Sequence, residues 1–224
     1  MEYKAVVVDV DGTITYGDRS LDFRAVEALR SLKVPVVIAT GNVLCFARAA
    51  SKLVGTGGIL IAENGGIVEC GMVESDTSHK KECEEAFGFL EKHFALERLD
   101  PENRITEIGL RRNFDVERAR DLLKEFPEVE IVDTGFAVHI KSKRINKGTG
   151  LKRIAEMMGL DARDFVAIGD SPNDIEMLQA SGFGVAVGNA HPELKRVARM
   201  VTRGEYGAGV AEAVGELKEK GAIR

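Results

Sequence analysis

The chain alternates short, wholly apolar runs with stretches in which apolar residues return every three or four positions. Residues 3–9 form a Val-rich run without polar alternation, which predicts a strand buried on both faces. Leu21, Phe23, Val26, Leu29 and Leu32 then recur at helical spacing, with Ser20 or Asp22 placed to cap the first turn. Residues 34–40 predict a second buried strand, and a helix opening at Gly41 and Asn42 continues to about Val54. A third short strand over 59–62 leads into Glu63-Asn64-Gly65-Gly66, whose Asn-Gly step signals a turn, with Ile67 and Val68 as the return of a hairpin. The order βαβαβ implies a parallel sheet with right-handed crossovers.

The pattern changes between about 77 and 144, where charged residues thicken and amphipathic elements replace the apolar runs. Phe87, Leu90 and Phe94 have helical spacing, residues 105–111 alternate like a half-exposed strand, and 116–126 are again helical. Residues 129–132 and 136–140 predict paired strands around Asp133-Thr134-Gly135, half-exposed because one face alone is covered. The first pattern then resumes. A helix from Lys147 to Met158 closes at Gly159, a strand covers 165–168, and Pro172 suits the first turn of the next helix. A strand at 184–187, a helix over 192–198, a short strand at Met200 and Val201 and a last helix from about Gly209 complete the chain. The fold class is α/β: a Rossmann-like parallel-sheet core (1–78 and 146–224) with helices on both faces and a small inserted α+β domain (79–145).

Composition narrows the function. The 224 residues are 44% apolar, enough for a substantial core, and a net charge of −5 argues against a main role in binding nucleic acid or an anionic membrane. Cys45, Cys70 and Cys83 form neither a disulfide framework nor a zinc cluster, so a reducing cytoplasm is the simplest location. Met1 leads directly into the first strand with no leader, and no apolar run approaches the roughly 18 residues that span a bilayer. His79, His93, His139 and His191 are dispersed without metal-ligand spacing and read as surface or structural residues.

The chemistry lies at the strand ends. Asp9 and Asp11 follow the first strand at i and i+2, so they begin on the same side of the backbone, a costly arrangement unless a cation or a shared proton offsets it. Thr40-Gly41-Asn42, Asn146-Lys147-Gly148 and Gly169-Asp170 through Asp174 lie at other predicted strand ends or helix starts, and such ends converge on one crevice. Three or four acids there call for a hard divalent cation with few protein ligands, which suits Mg²⁺. A hydroxyl, backbone N–H donors and one lysine suit the oxygens of a phosphoryl group. Phosphoryl transfer fits this set better than redox or acyl chemistry.

These four stretches, in this order, resemble the four motifs of the haloacid dehalogenase superfamily of phosphohydrolases over nearly the whole chain. Asp9, Asp11 and Thr13 fit its first motif, Thr40 the second, Lys147 the third, and Asp170 with Asp174 the acidic fourth. The insertion between Thr40 and Lys147, and the 63–66 stretch, resemble the subclass with a type-two α/β cap. Within it the small insertion is similar to that of archaeal phosphoglycolate phosphatases, with sucrose-phosphate phosphatase-like enzymes as relatives. The resemblance implies Asp9 as nucleophile forming an aspartyl-phosphate and Asp11 as general acid and base. It implies Mg²⁺ held by Asp9, the Asp11 backbone carbonyl and Asp170, with Asp174 a ligand or a supporting acid. Thr40, Gly41, Lys147 and Asn173 would hold phosphoryl oxygens. Many relatives carry arginine where this chain has Asn42, which is either a lesser phosphate contact or the helix N-cap.

The reaction expected is hydrolysis of a small phosphorylated metabolite, with 2-phosphoglycolate as the best single substrate. A sugar-phosphate phosphatase or phosphomutase is the alternative enzyme, and a receiver-type phospho-Asp signalling domain the non-enzymatic one. The insertion should set specificity: Arg111, Arg112, His139, Lys141 and Lys143 lie in or beside its strands, and any that face the core could bind a substrate carboxylate. Hinges are expected near 75–80 and 142–146. The insertion's alternating strands could pair between two copies, but nothing in the sequence specifies a homodimer.

Overall fold

A computed structural model describes residues 2–224. The chain runs β1 (Ala5–Asp9), α1 (Phe23–Arg30), β2 (Val36–Ala39), α2 (Leu44–Val54), β3 (Ile59–Ala62), β4 (Ile67–Cys70) and β5 (Met72–Ser75). Next come α3 (Lys80–Leu90), β6 (Arg98–Leu99), β7 (Ile108–Leu110), α4 (Val116–Leu122), β8 (Val129–Asp133) and β9 (Val138–Ser142). The chain closes with α5 (Lys147–Met157), β10 (Phe165–Gly169), α6 (Ile175–Ala180), β11 (Phe183–Ala186), α7 (Pro192–Val197), β12 (Met200–Val201) and α8 (Tyr206–Glu219).

Two sheets result. The larger has the order β12-β11-β10-β1-β2-β3-β4-β5; its first six strands are parallel, and β4 and β5 fold back antiparallel. β1 lies at its centre, and all five of its residues are buried, as a strand covered on both faces requires. Each buried Val side chain there stabilises the fold by about 1.5–3 kcal/mol relative to exposure. Asp22 caps α1, its carboxylate accepting from the Arg24 N–H at 3.0 Å. The hairpin of β3 and β4 forms as the turn signal predicts; β5, with Met72 and Val73 exposed at the sheet edge, was not foreseen. Nor was β6, and the last helix begins at Tyr206 rather than Gly209.

The smaller sheet has the order β6-β7-β9-β8 and is antiparallel throughout. Val138 and Ile140 of β9 and Ile108 and Leu110 of β7 join Phe87 and Leu90 of α3 in an apolar cluster of their own, separate from the main core. The expectation of half-exposed strands fails here: β7 and β9 are buried at every position. Strand side chains alternate between faces, so His139 and Lys141 turn away from the helices, and His139 faces the larger sheet's carboxyl end, which covers it.

Candidate active site

Strand register sets the geometry. Asp9 is level with Ala39 of β2, and Val8 with Ile168 of β10, which brings Thr40 and Asp170 up on either side of Asp9. Beyond Asp9 the chain leaves the sheet in a tight turn, with the Thr13, Ile14 and Thr15 N–H groups all accepted by the Val10 carbonyl. Gly12 has φ +85°, and a Cβ on it would stand 2.4 Å from Asp170 Oδ2. That close approach requires glycine.

Asp9, Asp170 and Asp174 gather carboxylate oxygens within 4.8 Å of one another. The Lys147 ammonium, fully enclosed at the first position of α5, donates to Asp9 Oδ1 at 2.5 Å and to Asp174 Oδ1 at 2.6 Å. Asn146 fixes that helix start through a reciprocal capping box with Thr149. The Thr13 hydroxyl lies between Asp9 Oδ2 at 3.2 Å and Asp170 Oδ1 at 3.1 Å. Asp174 uses its second oxygen to accept the Asp170 and Ser171 N–H groups, each at 3.1 Å. Both of its oxygens are therefore committed, and Asp174 orients Lys147 and the 170–171 backbone.

Burial raises Asp9 well above the usual carboxylate range; Lys147 opposes the shift while Asp174 and Asp170 add to it. Asp170 is pushed up to about 7 by burial and by Asp174, against Lys147. Burial acts to lower Lys147, but Asp174 and Asp9 outweigh it and hold the ammonium above its ordinary value. Three carboxylates against one ammonium leave two negative charges if all ionise, and a dication offsets that excess. The donor set, carboxylate oxygens on a buried floor, suits a hard metal ion.

Asp11 is outside this carboxylate cluster but lines the same small space as Asp9. β1 ends at Asp9, so the alternation does not extend to Asp11. Its Oδ2 instead accepts from the Asn42 amide at 2.7 Å. Asn42 also donates its amide (3.2 Å) and its backbone N–H (3.0 Å) to the Thr40 hydroxyl. The N-cap alternative for Asn42 is not realised, since α2 starts at Leu44 and Val43 occupies the cap position.

A polar seam joins this floor to the smaller sheet. Asn173 donates to Asn64 Oδ1 at 3.0 Å, and Asn64 donates to Glu107 at 3.0 Å. Glu107 also pairs with Arg104 and with His139 Nδ1, the latter at 2.7 Å. Arg104 donates to the Gly41 carbonyl at 2.9 Å. Burial alone would raise Glu107, but His139 and Arg104 together with the Asn64 amide hold it at about 2. Glu63 accepts from the Ile105 and Thr106 N–H groups, and both Glu63 and Asn64 have left-handed backbone (φ 47° and 53°). The 63–66 stretch carried a turn signal; Arg104 and Glu107 carried none, because their partners Gly41, Asn64 and His139 lie 32 to 63 residues away in the chain.

Two openings reach the site. One of about 30 Å³ touches Asp9, Asp11, Asn42 and Asn173, and is closed over by Phe136 and His139. The other, about 790 Å³, passes between the sheets and meets Lys147, Asp170 and Asn173. Of the five basic candidates in the insertion, His139 alone lines the smaller space. Arg111 pairs with Glu97 and Arg112 with Asp133, Lys143 donates to the Pro127 carbonyl, and Lys141 is buried on Glu130 and the Ile145 carbonyl. Arg19, unforeseen, lines the smaller space too.

The sequence pattern of the haloacid dehalogenase-like hydrolases matches residues 6–100 and 100–214. A protein of Methanosarcina acetivorans named phosphoglycolate phosphatase is 55% identical, with all of both chains covered. Among solved structures, Thermoplasma acidophilum 0175 superposes with a TM-score of 0.85 at 24% identity, covering 97% of this chain and 99% of that one. A subclass IIB sugar phosphatase of the superfamily gives 0.80 at 21%, covering 98% and 100%; both likenesses concern the fold.

Proposed function

The chain belongs to the haloacid dehalogenase-like hydrolases, and from that premise we propose that it hydrolyses 2-phosphoglycolate to glycolate and phosphate. The observation that carries the chemistry is Asp9, a buried carboxylate at the end of the central strand, held by Lys147 and facing the small space that Asp11 also lines. Asp9 attacks phosphorus and carries the phosphoryl group as an aspartyl-phosphate. Asp11, outside the carboxylate cluster, gives a proton to the departing oxygen and then takes one from the hydrolytic water. Asn42 orients it. Thr40, the Gly41 N–H, Asn42, Lys147 and Asn173 hold the phosphoryl oxygens.

Mg²⁺ fits the carboxylate floor, with Asp9, Asp170 and the Asp11 carbonyl to hold it and Asp174 to orient. When bound it supplies positive charge that relieves the repulsion between carboxylate and phosphate. Residues 79–145 act as a cap over a core of 1–78 and 146–224, turning on the linkers near 75–80 and 142–146. About 30 Å³ beside Asp9 holds little more than a water or two, so this cap arrangement is the closed one and substrate enters with the cap raised. The wider opening of about 790 Å³ is the one observation that favours a larger sugar phosphate.

A panel of phosphomonoesters assayed with Mg²⁺ and with chelator tests the proposal. We expect the highest kcat/KM on 2-phosphoglycolate and loss of turnover with chelator. Asp9→Asn should lower kcat by about 10³-fold or more. Turnover persisting in Asp9→Asn, or better kcat/KM on hexose phosphates, would sink the nucleophile and the substrate assignments respectively.

A further inference from the structure

Arg19 stands out among the groups around the smaller space because the proposed chemistry gives it no task. It sits at the tip of the loop between β1 and α1, in the left-handed backbone region at φ 68°. An arginine rarely adopts that conformation, and it costs on the order of 1 kcal/mol or more unless something holds it there. The surrounding chain does: the Arg19 N–H donates to the Tyr16 carbonyl at 2.9 Å, and the Tyr16 N–H donates to the Ser20 carbonyl at 2.9 Å. The Ser20 N–H and hydroxyl close the turn on Asp18. The turn thereby fixes the backbone from which the Arg19 side chain projects.

That side chain makes a loose ion pair with Asp11 but no side-chain hydrogen bond. Its Nε lies 3.8 Å from Asp11 Oδ1, too far for a hydrogen bond, and its N–H groups donate to no other side chain or carbonyl among the described residues. Its Cζ stands 4.8 Å from the centre of the Phe136 ring, which descends from the smaller sheet. An aromatic face against a guanidinium fixes its plane while leaving the N–H edges free. His139 lines the same space, with Nδ1 committed to Glu107 and Nε2 remaining for a ligand.

Connectivity decides what lies there. If Asp11 protonates the departing oxygen, a carboxylate one methylene away has its carbon ~2.4 Å from that oxygen by standard bond lengths. It must then lie within the reach of a group that itself lies beside Asp11. Arg19 is that group. Asp9 and Asp11 are both acids, so a second anionic group on the substrate needs a cation of its own at this end. We propose that Arg19, seated on Phe136 and completed by His139 Nε2, forms the subsite for the substrate's carboxylate, so that the enzyme selects phosphomonoesters whose carbon next to the ester oxygen bears a carboxylate. The inference rests on the 2-phosphoglycolate reading above and deepens it. It also gives the cap a chemical reason to close, because Phe136 and His139 arrive only with the cap while Arg19 belongs to the core.

Steady-state kinetics on 2-phosphoglycolate and on its neutral isostere, the phosphate ester of glycolamide, test this. The readout is the ratio of the two kcat/KM values. In the wild type the ratio should be well above one. Arg19→Gln should lower it by ~10- to 100-fold, the range expected for losing charge-assisted hydrogen bonds, with the change carried mainly in KM for the acid. Arg19→Lys, which keeps the charge but not the fork, should fall between. His139→Gln should lower the ratio by a smaller factor. A high wild-type ratio that survives Arg19→Gln unchanged overturns the subsite alone. A wild-type ratio near one overturns the carboxylate substrate itself and the subsite with it.

Discussion

Gly12 shows how little room single positions have around Asp9. With φ +85° and a Cβ that would meet Asp170 Oδ2 at 2.4 Å, Gly12→Ala must either strain its turn or displace Asp170. We expect Mg²⁺ affinity, measured by titration calorimetry, to fall by ~10-fold or more, since Asp170 is one of the proposed ligands; unaltered affinity would mean that Asp170 is free to move. Asp9, Lys147 and Asp170 were legible in the sequence because each sits where an apolar run stops or a helix begins, and local pattern marks such places. Arg19 was not, because a charged residue at the tip of a turn looks solvated until a partner such as Phe136 is brought to it from 117 residues away. That Asp11 stays outside the carboxylate cluster was equally hidden, since β1 ends two residues before it and its carboxylate turns to the Asn42 amide.

At the level of elements, the segment ahead of β7 and strand β9 carry a buried ionic network. Glu107 has an ordinary value of 4.5 and a folded value of about 2. Its ionisation therefore stabilises the fold fully above about pH 4.5 and ceases to do so as pH falls toward 2. The contribution is about 3 kcal/mol at pH 5 and roughly half of that at pH 3. Denaturant unfolding of the wild type and Glu107→Gln should show a gap that narrows between those two values; a constant gap would mean the loss comes from packing alone. Apart from β6, the helices and strands between residues 79 and 145 were readable from periodicity, yet the full burial of β7 and β9 was not. Alternation in β9 correctly separates Val138 and Ile140 from His139 and Lys141, but amino-acid type cannot tell that the polar face meets another layer of protein instead of water.

For the whole molecule, the parallel character of the large sheet followed from the sequence. The eighth strand and the seam between the sheets did not, because edge pairing and cross-layer hydrogen bonds leave no periodic trace. That seam ends on the loop proposed to hold phosphate: Arg104, close to Glu107 and enclosed with it, donates to the Gly41 carbonyl. Removing this tie should loosen the loop, so Arg104→Ala is expected to weaken product inhibition by inorganic phosphate by ~5-fold or more, read from initial rates. An inhibition constant equal to that of the wild type would show that the loop keeps its shape unaided. With the tie in place, raising the proposed cap would pull on the Gly41 backbone proposed to hold the product, and lowering it would restore that hold. In the proposed mechanism, discharge of phosphate and readmission of substrate would then be one stroke of the same hinge.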